Sequence, residues 1–134
     1  MKKLILILAL LAFPLMASPA LFSRYEAVRQ ALLKGSFADV QKNAAALAAQ
    51  AKTAKQAEVA AKAEAVAKSA DLAAARTAFG PLSEEMLKVR EGAKGDRPSV
   101  YYCPMVKKSW LQPKGEVGNP YDSAMEKCGM LKSE

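Results

Sequence analysis

Histidine is missing altogether from this chain of 134 residues, and cysteine occurs only twice. The first absence removes the side chain most often used as general base and metal ligand near neutral pH. A closed structural zinc site needs four Cys or His ligands, and a c-type haem needs Cys-x-x-Cys-His, so neither fits. No Gly-rich phosphate loop is present, and no two carboxylates share a face of a predicted helix. Acid-base and nucleophilic catalysis therefore lack their usual residues, and the chain reads as a non-enzyme with neither haem nor nucleotide. A thiol oxidoreductase would want a second cysteine beside the first, which Cys103-Pro104-Met105 does not offer. Aromatic residues are also sparse, at 7%. The net charge is +7, but the lysines are scattered at helical surface spacing without interleaved aromatics. They describe a solvated face and give no support to a nucleic-acid groove.

What is present begins with a leader. Lys2 and Lys3 precede an apolar stretch from Leu4 to Ala17 that ends in small residues, the pattern of a cleaved secretory signal. The stretch is shorter than the roughly 20 apolar residues of a membrane span, and Pro14 interrupts it. Residues 1–20 are expected to be removed by cleavage after Ala17 or Ala20. No cysteine lies near the cut to carry a lipid, so the expected location is the periplasm or outside the cell, without membrane insertion. Losing Lys2 and Lys3 lowers the charge from +7 to +5.

From Ala38 to Phe79 alanine dominates, with Lys, Glu and Gln between, a composition that strongly favours helix. Leu21, Tyr25, Val28 and Leu32 form one apolar stripe, and Phe37, Val40, Ala44, Leu47 and Ala51 form another, separated by Gly35-Ser36. Thr53 to Gln56 has the form of a capping box ahead of a third stripe, Val59, Ala63, Val66 and Ala70. Glu58 with Lys62 and Glu64 with Lys68 are spaced as favourable i, i+4 pairs on it. A fourth stripe runs through Leu72, Ala75, Phe79, Leu82, Met86 and Val89 and keeps its phase across Gly80-Pro81, so a kinked helix or two abutting segments is expected there. Alanine faces bury little area, leaving Phe22, Tyr25, Phe37, Leu47, Phe79, Leu82 and Met86 to supply most of the core. The expected fold is all-α: a four-helix up-and-down bundle over residues 21–91. A linker at 92–99 then leads to a loop-rich appendix, 100–134, docked on the bundle through Trp110 and Tyr121. Within the appendix a short helical turn is expected from Ser123 to Lys127, stopped by Gly129.

Both cysteines lie in the appendix, each opening a Cys-x-Met triplet: Cys103-Pro104-Met105 and Cys128-Gly129-Met130. Cu(I) and Ag(I) select thiolate and thioether sulfur, so Cys103, Met105, Met125, Cys128 and Met130 make a coherent ligand set. Tyr102, Trp110, Asn119 and Tyr121 would support the site, the aromatic rings by keeping water away from the ion. The competing reading is a disulfide. Two cysteines in a small exported domain most often pair, and residue chemistry alone puts this first. Either way Cys103 and Cys128 must be near neighbours.

Several of these residues carry a resemblance. Tyr102-Cys103-Pro104-Met105, Trp110-Leu111, Glu116-Val117-Gly118-Asn119-Pro120-Tyr121, Met125 and Cys128-Gly129 resemble the C-terminal signature of an uncharacterised family of exported helical domains. Its members stand alone or fused to periplasmic adaptor subunits of copper and silver efflux pumps. The helical part resembles the same family at Tyr25 to Leu33 and at Arg76, Phe79, Leu82 and Ser83. Asp122-Ser123 departs from it where an aromatic-Gly pair around the Tyr is usual. Tyr101-Tyr102-Cys103-Pro104-Met105 and Cys128-Gly129-Met130 are also similar to the two ends of a small heavy-metal-binding module, with Val106 where that module has histidine and without its additional cysteine. These resemblances imply metal handling, with sulfur-only Cu(I) or Ag(I) binding better preserved than zinc binding. They turn the order of the two readings, so a periplasmic Cu(I)/Ag(I) protein that buffers the ion or delivers it to an efflux adaptor comes first. A disulfide-stapled helical module binding another envelope protein is the alternative.

Overall fold

A computed structural model describes residues 17–134. Four helices come first: α1 Ala17–Lys34, α2 Phe37–Thr53, α3 Ala57–Ala67 and α4 Leu72–Gly92. Each packs on the next, and α1 also meets α4, closing the bundle. Three short strands follow, β1 Ser99–Cys103, β2 Lys108–Gln112 and β3 Met130–Ser133, with a single 3-10 turn at Ser123–Met125 before the last. The leader reading falls mostly on residues 1–16, outside the described residues; Ala17 to Ala20 form the first turn of α1. No described helix is long and apolar enough to cross a membrane.

The bundle follows from its apolar spacing. Leu21, Tyr25, Val28 and Leu32 of α1 are buried, as are Val40, Ala44, Leu47 and Ala51 of α2. Gly35 ends α1 at φ +67, a left-handed conformation that costs glycine little. There the Gly35 and Ser36 amides donate to Leu32 O and Ala31 O, both at 3.1 Å. Of the seven large residues expected to carry the core, six are buried, while Phe37 is partly exposed at the start of α2. α4 runs unbroken through Pro81, whose ring lies on the exposed side. Asp71 caps α4, its carboxylate accepting from Ala74 N at 2.8 Å.

The capping box expected at Thr53 to Gln56 does not form. Thr53 closes α2 and donates to Ala49 O at 3.2 Å, and Gln56 precedes α3 without a side-chain cap. The expected pair between Glu64 and Lys68 gives way to a bond from Lys52 at the end of α2 to Glu64 on α3. A cross-helix partner was nearer than the one along the same helix.

The all-α expectation is corrected by a three-stranded antiparallel sheet in the order β2-β1-β3. Val100, Tyr101 and Tyr102 are β-branched or aromatic residues suited to a pleated surface, and β1 alternates between buried and half-buried positions along its length. A four-residue turn joins it to β2, pairing Cys103 with Lys108 and Tyr101 with Trp110. β3 then adds to the other side of β1 from far along the chain, pairing Tyr101 with Leu131 and Tyr102 with Met130. The segment read as loop thus carries a small sheet between its turns, and the 92–99 linker is shorter than expected, since Gly92 closes α4 and Ser99 opens β1. β2 lies against α4. This places Trp110 and Leu111, both fully buried, in the same cluster as Tyr25, Phe79 and Leu82.

Candidate functional site

The two cysteines meet where the sheet begins. Cys103, the last residue of β1, is fully buried. The turn after it folds back, Lys107 N donating to Cys103 O at 2.8 Å. Cys128 arrives from the other direction after the 3-10 turn, its amide donating to Met125 O at 2.8 Å. The expected helical turn therefore covers only Ser123–Met125, and Cys128 lies past its end. Cys103 and Cys128 are joined in a disulfide, with Cα atoms 5.4 Å apart. In this state neither sulfur is a thiolate, so neither supplies the soft anionic ligand that a two-thiolate Cu(I) site requires.

The methionines of the expected ligand set differ in setting. Met105, in the β1–β2 turn, is 67% exposed, and Met130, at the start of β3, is 49% exposed. Met125 is half-buried. Among the described residues no group of three or more His, Cys, Asp or Glu side chains converges as a metal site.

Asn119 has a definite task beside the staple. Its amide donates to Glu126 O at 2.8 Å, its side-chain nitrogen donates to Cys128 O at 3.2 Å, and its side-chain oxygen accepts from Tyr121 N at 2.9 Å. One buried side chain thus holds the approach to Cys128 and the turn into Tyr121. Tyr121 donates to Ser109 O at 2.5 Å and packs against Phe79 and Trp110, ring centroids 5.8 and 6.1 Å away. Burial above all, and then the nearby Tyr25, push its hydroxyl well above the ordinary tyrosine range. Gly129 is forced by packing: a Cβ there would lie 2.6 Å from the Trp110 ring and 2.7 Å from Val117. Tyr102 is half-buried, with the Lys132 ammonium 5.9 Å from its ring centroid.

Several linking residues carried no recognisable motif. Arg29 of α1 is buried; it donates to Gly118 O at 2.7 Å and is held by Glu26 at 2.6 Å. Gln112 Oε1 accepts from Trp110 Nε1 at 2.9 Å and from Gly118 N at 3.1 Å, while its amide nitrogen donates to Glu116 O at 2.9 Å. Tyr25 shares a 2.6 Å hydrogen bond with Ser83 of α4 and accepts from Leu111 N of β2 at 3.3 Å. Its ring stacks on Phe79 at 4.8 Å, and burial raises its pKa far above the usual tyrosine value. Arg90 donates to Pro98 O and to Glu134 O, each at 2.6 Å. The one usable signal was an arginine on an apolar stripe: Arg29 falls between Tyr25, Val28 and Leu32.

The arrangement is therefore a staple and a set of polar latches fixing a small sheet to a helical bundle. No curated protein matches the chain. No solved structure matches it either. The family model described as Protein of unknown function (DUF3347) matches residues 21–97, which takes in nearly all of the helical part and stops just before β1. That is more than half of the 134 residues, and the chain belongs to this family.

Proposed function

We propose that this protein is an exported, disulfide-stapled module of the periplasm that acts by binding another envelope protein, and that its partner is a component of Cu(I)/Ag(I) efflux. The observation that carries the reading is the Cys103–Cys128 disulfide. It ties the end of β1 to the entry of β3 and fastens the sheet whose other anchors, Arg29, Asn119 and Tyr25, are spent on structure. Such a rigid two-part surface suits recognition, and the reading assigns no catalytic role. The choice of partner rests on the resemblance of the Cys-Pro-Met to Cys-Gly segment to domains fused to copper and silver efflux adaptors. Affinity capture from periplasmic extract with the oxidised protein tests it. An efflux adaptor recovered with wild type, and lost when the disulfide is reduced, is the expected result; recovery of no envelope protein contradicts the reading.

A second reading keeps the metal on the cysteines. It is favoured by their Cα separation of 5.4 Å, close enough for both sulfurs to grip one ion after reduction. On this reading reduced protein binds one Cu(I) or Ag(I) through Cys103 and Cys128 with Met105, Met125 or Met130 completing the shell. Both thiols must be deprotonated, so affinity would fall as pH drops. Cu(I) titration of the reduced protein against a competing chelator separates the two readings, and replacing both cysteines by serine should abolish the uptake.

A further inference from the structure

Among the described residues the large hydrophobic side chains left exposed are Met105 at 67%, Met130 at 49% and Leu131 at 41%. Two of the three are thioethers, and each lies two residues after one of the disulfide-bonded cysteines. By contrast Met86 is fully buried in the core. We propose that Met105 and Met130 together form a thioether site for one monovalent soft ion, Ag(I) or Cu(I), that operates while Cys103 and Cys128 remain disulfide-bonded.

The backbone places the pair. Cys103 and Cys128 have Cα atoms 5.4 Å apart, and each methionine departs from one of them by two residues. Two residues of chain span at most about 7 Å. Met130 is the strand partner of Tyr102, the residue before Cys103. The turn carrying Met105 is folded back toward the same point by the Lys107 to Cys103 bond at 2.8 Å and by Val106 N, 3.5 Å from Cys103 Sγ. A methionine side chain has three rotatable bonds and a polarisable sulfur, which lets each thioether turn toward the other from its own side of the staple.

The chemistry selects the ion. A thioether is neutral at all working pH values, and it remains a ligand when thiols have been consumed by oxidation. Sulfur of this kind favours Cu(I) and Ag(I) over ions that prefer oxygen or imidazole. No carboxylate occurs from Cys103 to Gly115 or from Cys128 to Ser133, whereas Lys107, Lys108 and Lys132 do. Lys108 and Lys132 lie over the rings of Tyr121 and Tyr102. A divalent ion would feel twice the repulsion of a monovalent one from these ammonium groups.

The site goes beyond the docking reading and does not need the cysteines as ligands, so its test is separate from both experiments above. Full-length protein with no titratable thiol, labelled with carbon-13 at the methionine methyls, is titrated with silver nitrate and followed by nuclear magnetic resonance. The methyls of Met105 and Met130 should move together and saturate at one ion per chain, with Met86 unmoved and excess zinc unable to compete. Met105→Leu and Met130→Leu should each weaken binding at least about tenfold, because each removes one of two ligands held at high effective concentration. Both positions are exposed, and an unchanged far-ultraviolet spectrum verifies the fold of each variant. Neither methyl shifting, or Met130 keeping its affinity in Met105→Leu, overturns the proposal: the first shows no site, the second two independent surface thioethers.

Discussion

Arg29 on the first helix donates to the carbonyl of Gly118 at 2.7 Å across 89 positions of sequence, and the approach is close enough that a side chain at Gly118 would force Arg29 and Leu33 to shift. A Cβ there would lie 2.8 Å from Arg29 Nη1 and 2.8 Å from Leu33 Cδ1. Gly118→Ala should therefore push the C-terminal segment off α1 and destabilise the protein by about 1–3 kcal/mol, the usual cost of overpacking a well-filled site. Arg29→Ala relieves the crowding but leaves Gly118 O without its side-chain donor, costing about 1–3 kcal/mol. Urea midpoints of the two variants and of the double variant check this, and the double should fall short of the sum because both act on one contact.

Gly129→Ala makes the same kind of test at the staple. The new methyl would meet the Trp110 ring at 2.6 Å. Trp110 is the chain's single tryptophan, so its fluorescence should report the disturbance directly. The emission maximum should move to the red as water reaches the indole, with helix content unchanged.

Tyr25 joins three elements through one hydroxyl, sharing a hydrogen bond with Ser83 and accepting from Leu111 N. Tyr25→Phe strands both partners in the core and should cost about 1–3 kcal/mol. In Ser83→Ala the hydroxyl still accepts from Leu111, so the loss should be smaller. Thermal denaturation of both single variants measures the difference.

Burial raises the pKa of Tyr25 and Tyr121 above the ordinary tyrosine value of about 10. The sign follows from proton uptake: above about pH 10 the unfolded chain loses these protons while the folded chain keeps them, so the contribution is complete below that pH and is lost as pH rises through the folded values. Stability measured by urea should stay level up to about pH 10 and then fall. In a Tyr121→Phe variant the alkaline fall should be shallower.

The helical half was legible because its signals are local. Apolar spacing marked the buried residues Tyr25, Val28 and Leu32 of α1 and Phe79, Leu82 and Met86 of α4, and Gly35 marked the break between α1 and α2. The sheet was not legible because its pairing is distant: β3 joins β1 through Tyr101 with Leu131 and Tyr102 with Met130, and its own four residues are all exposed, so no hydrophobic period announces it. Pro113, Gly115, Gly118 and Pro120 gave the region the look of loop. At the site, cysteine proximity could be read from chemistry alone. The roles of Gly118 and Gly129 could not, since each is set by a side chain arriving from elsewhere, Arg29 and Leu33 in one case and Trp110 and Val117 in the other.

The staple closes a loop with a sequence separation of 25, for which the chain-entropy model gives about 3.5 kcal/mol. The most direct measurement is therefore thiol titration of protein isolated from periplasm without reductant, joined to metal analysis of the same sample and to urea unfolding before and after reduction. No free thiol as isolated, two after reduction, and a loss of stability near that size are the expected results. Two free thiols as isolated with one stoichiometric copper or silver ion would contradict the disulfide-stapled module and return Cys103 and Cys128 to the role of metal ligands.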